Sequence, residues 1–191
     1  MALDSTNALC TVAELRSFVG LSTVTTSAVT TQLEEYINGA SWTLKQETKR
    51  VLVSQVLTEY YDGDGTDTVI LREYPCTSVT TLHTDSEREF GSDHLVSADD
   101  YENISQQGII KITGTALDVG VQVIKVVYDA GYTTVPYDLK MACIELAAFW
   151  YEKFKSHRIG LQSVSNTAGT NSYVEDMPGL VKQTIERYRR K

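Results

Sequence analysis

At 191 residues the chain can bury roughly 70% of its unfolded surface, so it needs neither disulfides nor a metal to hold a core. Its 17 basic and 25 acidic residues leave a net charge of −8, which excludes a protein that grips nucleic acid by neutralising phosphates. That balance leaves room for a protein that surrounds DNA without gripping it. Cys10, Cys76 and Cys143 are odd in number and widely spaced, with no CxxC, and read as buried thiols of a reducing compartment, not a disulfide framework. No stretch approaches the ~20 uninterrupted apolar residues of a membrane span. The first residues lack the basic-then-apolar pattern of a secretory signal.

Thr11-Val12-Ala13-Glu14 is a capping box, and it predicts a short helix ending near Gly20 with Val12, Leu15, Phe18 and Val19 on its buried side. A Ser/Thr-rich connection follows. A second helix is predicted over residues 27–47, with Val29, Leu33, Tyr36, Ile37, Ala40 and Leu44 as the inward stripe. Gly39 lies inside it and either admits another helix closely or is neutral.

From Val51 the period shifts to two. Val51, Val53 and Leu57 alternate with polar neighbours up to Tyr60-Tyr61, Asp62-Gly63-Asp64-Gly65 is a turn, and residues 68–71 return as a strand, so the pair is expected to form a hairpin. Residues 77–83 form a third strand. Residues 85–103 are acidic and polar, with Phe90, Leu95, Val96 and Tyr101 as anchors. Residues 108–113 and 121–128 are two further strands. Asp129-Ala130-Gly131 ends the last of them, and Gly131 can take positive φ.

Pro136 supplies a first-turn φ, and Asp138 suits the helix dipole of the long helix that follows. Leu139, Cys143, Leu146, Trp150 and Phe154 form one stripe, flanked by Ala142 and Ala147. Met141, Ile144, Ala148 and Tyr151 form a second. A helix apolar on most of its circumference is buried on more than one side. It sits either at the centre of a bundle or against a second subunit. Residues 158–177 are rich in Ser, Thr, Asn and Gly and read as a flexible arm. Pro178 opens a terminal helix with Leu180, Val181, Ile185 and Tyr188 apolar and Arg187, Arg189, Arg190 and Lys191 basic. It is either a docking peptide or a helix folded back on its own subunit.

The architecture is therefore α+β. A helical module (1–48 and 133–157) carries an inserted antiparallel β-sheet of about five strands (49–131), followed by the arm (158–177) and the terminal helix (178–191), all in one domain. No GxSxG, HExxH, P-loop or GxGxxG occurs, and His83, His94 and His157 are isolated. The stretch from Asp62 resembles a calcium loop until position 6, where Asp67 stands in place of glycine, and its flanks are strands. Asp99-Asp100 has no partner for acid–base work in the sequence. These residues support neither an enzyme nor a cofactor or metal site.

The ordered set Tyr60-Tyr61-Asp62-Gly63-Asp64-Gly65-Thr66-Asp67-Thr68, Leu71-Arg72-Glu73-Tyr74-Pro75, Gly108-Ile109-Ile110, Tyr128-Asp129-Ala130-Gly131-Tyr132 and Val135-Pro136-Tyr137-Asp138-Leu139-Lys140 resembles the head-tail connector (adaptor, or head completion) family of tailed bacteriophages. The resemblance spans nearly the whole chain. It departs at Lys49-Arg50-Val51, where the family pattern is Gly-Arg-aromatic. It implies a structural virion protein without a catalytic site, forming a ring of about twelve subunits below the portal. Such a ring extends the DNA channel, without sequence-specific binding, and receives the next neck or tail-completion protein. On that basis Leu180, Ile185, Tyr188, Arg189 and Arg190 are expected to dock on the portal protein, and Met141, Ile144, Ala148 and Tyr151 to face a neighbouring subunit. The alternative is a non-viral α+β interaction module, monomeric or dimeric. A further rival, a small hydrolase or binding protein, requires a ligand pocket near Asp99.

Overall fold

The computed structural model describes residues 2–21, 26–104, 106–114, 116–156, 163–166, 169–172 and 177–190. The chain divides into two compact units, residues 1–50 with 135–191 and residues 51–134.

The first unit is helical. Helix α1 (Val12–Phe18) begins at the capping box: the Glu14 amide donates to Thr11 Oγ1, and the Thr11 amide donates to Glu14 Oε2 at 2.8 Å. Only Leu15 of its expected buried side is fully buried, and Phe18 is 52% exposed. Helix α2 (Ser27–Thr48) buries Leu33, Ile37, Ala40, Ser41, Leu44 and Thr48. A Cβ on Gly39 would meet Trp150 Cζ3 at 3.2 Å, so this glycine leaves room for the ring of a residue on a neighbouring helix. That neighbour is α3 (Tyr137–Lys155), which buries Leu139, Ala142, Cys143, Ile144, Leu146, Ala147, Ala148 and Tyr151. It packs against α1, α2 and α4 (Gly179–Tyr188). Most of the apolar circumference of α3 is thus covered within its own bundle, with Phe154 left 48% exposed.

Lys49 ends α2 in the left-handed conformation, at φ 55°. Glycine takes this conformation at low cost, and lysine only with strain. Within 158–177, where an arm was expected, much of the chain lies outside the described residues. The described part forms an antiparallel pair, Ser163–Asn166 with Gly169–Ser172.

The second unit holds two three-stranded antiparallel sheets. The strands are β1 (Gln55–Asp64), β2 (Thr68–Ile70), β3 (Cys76–Thr84), β4 (Tyr101–Ile104), β5 (Ile109–Ile112) and β6 (Val119–Ala130). One sheet has the order β1-β6-β3 and the other β2-β5-β4. The expected β1–β2 hairpin does not form. Gln55 of β1 lies opposite Ala130 of β6, while Val69 of β2 lies opposite Ile110. The Asp62–Gly65 stretch therefore leads from one sheet to the other. β5 and β6, adjacent in sequence, also belong to different sheets. Between Tyr61 and Gly63 the β1–β6 register shifts, and Asp62 Oδ1 accepts the amide of Gln122 (φ 55°) at 2.8 Å. Gly131 has φ +99°, and a Cβ there would lie 2.7 Å from the Val53 carbonyl oxygen, so it is required on both counts.

The core of this unit runs through Val69, Leu71, Cys76, Leu82, Ile110, Ile112, Ile124, Val126 and Tyr128. A buried polar knot fastens the 71–75 segment to the sheets. The Tyr61 and Tyr128 hydroxyls both donate to Glu59 Oε2, the latter at 2.7 Å. The amides of Arg72 and Glu73 donate to those two hydroxyls in turn. Burial and the Glu59 carboxylate push Tyr61 up to about 12, and Tyr128 is raised for the same reasons. Asp85 organises the polar stretch that follows β3. Fully buried, it accepts the amides of Glu87, Glu89 and Phe90 at 2.7–2.8 Å. Burial opposes its charge, those three amides outweigh burial, and the carboxyl is lowered.

Candidate functional site

Helix α4 is the first candidate surface, because the sequence puts basic residues on an amphipathic helix there. Pro178 caps it, and Val181, Thr184 and Ile185 face inward, Ile185 being 4% exposed. Its C-terminal end is clipped to the other helices. Asp138, in the first turn of α3, accepts the Tyr188 hydroxyl at 2.7 Å, the Arg187 guanidinium at 2.8 Å and its neighbour's amide, that of Leu139, at 3.0 Å. Burial works against its charge, but these donors outweigh burial and hold Asp138 below the usual carboxylate range. Arg189 donates to the Glu47 carbonyl at 3.1 Å and pairs with the carboxylates of Glu47 and Glu186. The Arg190 amide donates to the Thr48 carbonyl at 2.9 Å. The terminal helix is therefore folded back on its own helical unit. Of the five residues expected to dock, Ile185 is core, Tyr188 and Arg189 hold α4 in place, Arg190 is exposed, and Leu180 is 50% exposed.

The four residues expected to face another subunit also sit mostly inside. Ile144, Ala148 and Tyr151 are buried, with Tyr151 edge-on to Tyr36 at 6.2 Å, and Met141 is half-buried.

The second candidate is a surface groove of about 690 Å³ in the helical unit. Phe18 and Val19 from the end of α1, Ala148 and Phe149 from α3, and Pro178 and Gly179 at the start of α4 form its apolar wall, with Glu145 and Glu152 at its border. Lys153 lies 4.7 Å above the Phe149 ring. The groove was missed in the sequence because its wall is drawn from three segments far apart. The one legible signal was Phe18, an aromatic at the end of a seven-residue helix too short to bury it.

Residues with chemical potential do not converge. Asp99 and Asp100 lie in a short 3-10 turn, where the Ser97 hydroxyl accepts the Asp99 amide. His94 stands 3.4 Å from Asp93 and 3.9 Å from Asp85, and His83 packs edge-on to Phe90. His157 lies outside the described residues. Among the described residues no group of three or more His, Cys, Asp or Glu is arranged to hold a metal ion, and no helix is long and apolar enough to cross a membrane.

The family model for head completion proteins matches residues 8–191. The chain belongs to the head completion protein family. That family is a structural component of the virion, so this member is not an enzyme, and the non-viral interaction module is set aside. Among solved structures, the chain resembles a protein of the neck of an empty GTA particle computed with C6 symmetry, at 22% identity and TM-score 0.65, over 99% of this chain and 94% of that one. It resembles a protein of the neck of a native GTA particle computed with C12 symmetry, at 23% identity and TM-score 0.62, over 99% and 92%. A chain from the virion of a native gene transfer agent particle matches at 21% identity and TM-score 0.62, over the same shares. At these identities the likeness is one of fold. No curated protein matches the chain. For a head completion protein, surfaces such as the groove and α4 are the features to explain, not a reaction centre.

Proposed function

We propose that this head completion protein is a subunit of a ring of about twelve copies at the virion neck, joining the portal to the next neck or tail-completion protein. The observation that carries the reading is the fold likeness, over 99% of the chain, to proteins from particle necks computed with C6 and C12 symmetry. A net charge of −8 on each subunit suits a channel that DNA phosphates slide through instead of binding.

Leu180 and the adjoining groove with Phe18 and Phe149 are the portal-docking surface. The buried position of Ile185 and the internal bonds of Tyr188 and Arg189 support this narrower form, in which α4 belongs to the subunit's own core and presents only its exposed side. The half-buried Met141 is the residue of the second α3 stripe left to meet a neighbouring subunit.

The test is native mass by light scattering over a concentration series, alone and with purified portal protein. A particle near twelve subunits, formed alone or on the portal, is expected. A chain that stays monomeric and leaves the portal uncaptured overturns the reading. Leu180→Asp tests the docking surface better than removal of residues 178–191, which would uncover the core around Val181 and Ile185. Leu180→Asp is expected to keep thermal stability and lose portal capture. Unchanged capture would exclude this surface.

A further inference from the structure

We infer that Cys10 and Cys143 form an intramolecular disulfide when the protein meets a peroxide, an oxidative cross-link that ties the segment before α1 to the middle of α3. The two sulfurs stand 3.6 Å apart, both thiols are buried, and 133 residues separate them in sequence. A disulfide needs about 2.05 Å, so one sulfur must move by roughly 1.5 Å. Cys10 is the one placed to move. It lies in the connection just before α1, whereas Cys143 is fixed within α3.

The surroundings assign the two sulfurs different parts. Cys10 donates its S–H to Cys143, and Ser41 Oγ lies 3.4 Å from the Cys143 sulfur. Ser41 in turn accepts the amide of Leu9 at 3.1 Å, so the same serine holds the segment carrying Cys10. Donation and burial raise Cys10, while the hydrogen bond from Cys10 lowers Cys143 against its burial. Cys143 is therefore the sulfur that ionises first, and the thiolate is the nucleophile.

The chemistry balances with hydrogen peroxide as the oxidant. The Cys143 thiolate attacks one peroxide oxygen, the O–O bond breaks, and the departing hydroxide takes the proton released from Cys143 to become water. The sulfur of Cys10 then attacks the resulting sulfenic acid. The S–S bond forms, the S–O bond breaks, and the Cys10 proton leaves with hydroxide as a second water. The two thiols lose two electrons, and one peroxide becomes two waters. Peroxide is small enough to reach the pair when the segment before α1 opens locally.

The consequence, though not the cross-link itself, rests on the virion reading. A particle assembled with reduced thiols in a cell and released into an oxidising medium would gain a covalent tie after assembly. The segment tied is held otherwise by the buried Leu9 and by polar contacts such as Asp4 to Asn38 at 2.9 Å and Lys45 to Asn7 at 2.9 Å.

The experiment treats the folded full-length chain with hydrogen peroxide and titrates thiols after denaturation without reductant. Two of the three thiols are expected to disappear, with a mass loss of about two daltons, no change in subunit number and one linked peptide pair bearing Cys10 and Cys143. Melting temperature should rise by roughly 5–10 °C and fall back with reductant. Cys10→Ser should form no cross-link and leave Cys143 as a sulfenic acid that dimedone traps, and Cys76→Ser should cross-link like the parent. Three intact thiols, a link through Cys76, a link between subunits, or stable sulfinic acid would each overturn the inference. All are read on the isolated chain, so failure here is separate from failure to form a ring.

Discussion

The two units bury their interiors by different means. In the helical unit one element, α3, supplies eight buried residues, and α1, α2 and α4 close around it. In the β unit the central strand β6 supplies Val123, Ile124, Val126, Tyr128 and Ala130, but it does not close the core by itself. Two sheets share the core, and polar groups inside it, the Glu59–Tyr61–Tyr128 knot and Asp85, hold the connecting segments. The helical unit puts its ionic bonds at the rim instead, where Asp138 and Glu47 anchor the end of α4. Damage to the helical core is thus concentrated in one helix, while damage to the β unit passes through hydrogen bonds that fix loops.

The largest expected effect comes from cutting into α3. Leu146→Ala, at a fully buried site, should destabilise by about 2–5 kcal/mol, read as an earlier loss of helical circular dichroism in denaturant. A loss under about 1 kcal/mol would show that α3 is not the centre the comparison makes it. Next is Tyr128→Phe, which leaves the Glu73 amide and a Glu59 oxygen without the Tyr128 hydroxyl and should cost about 1–3 kcal/mol. Hydrogen exchange should report the change at residues 71–75 first.

The rim sharpens the comparison through pH. Asp138 has its folded pKa below its unfolded value of about 3.9. Its contribution is therefore complete above the unfolded pKa and is lost as pH falls through the lower folded value. Acid should loosen α4 below about pH 4, and Asp138→Asn should flatten that limb of the stability–pH curve. An identical acid limb in the variant would assign the effect to other carboxylates, Asp85 among them, which is lowered in the same direction. The smallest effect is a gain. Lys49→Gly, at φ 55°, should stabilise by roughly 0.5–1 kcal/mol in denaturant unfolding, and a loss would mean that the Lys49 side chain matters more than its backbone.

Local physics made much of the molecule legible. The Thr11 capping box, most of the stripes of α2 and α3, several of the period-two strands and the positive φ of Gly131 depend on neighbours a few residues away and were legible. Phe154 of the α3 stripe, by contrast, is exposed, and β1 starts at Gln55, after Val51 and Val53. The order of motifs carried the family as well. What the sequence by itself determined, then, was the kind and order of most elements, the α+β class, and membership among head completion proteins. Tertiary structure alone decided how they pair. Gln55 meets Ala130 instead of a hairpin partner, since strand pairing is a contest among distant edges that periodicity does not rank. It decided that α3 is wrapped by its own subunit, because an apolar helix face carries no mark of whose side chains will cover it. It also turned the basic terminal helix inward, since the carboxylates that answer Arg187 and Arg189, Asp138 and Glu47, come from other parts of the chain that only folding brings within reach.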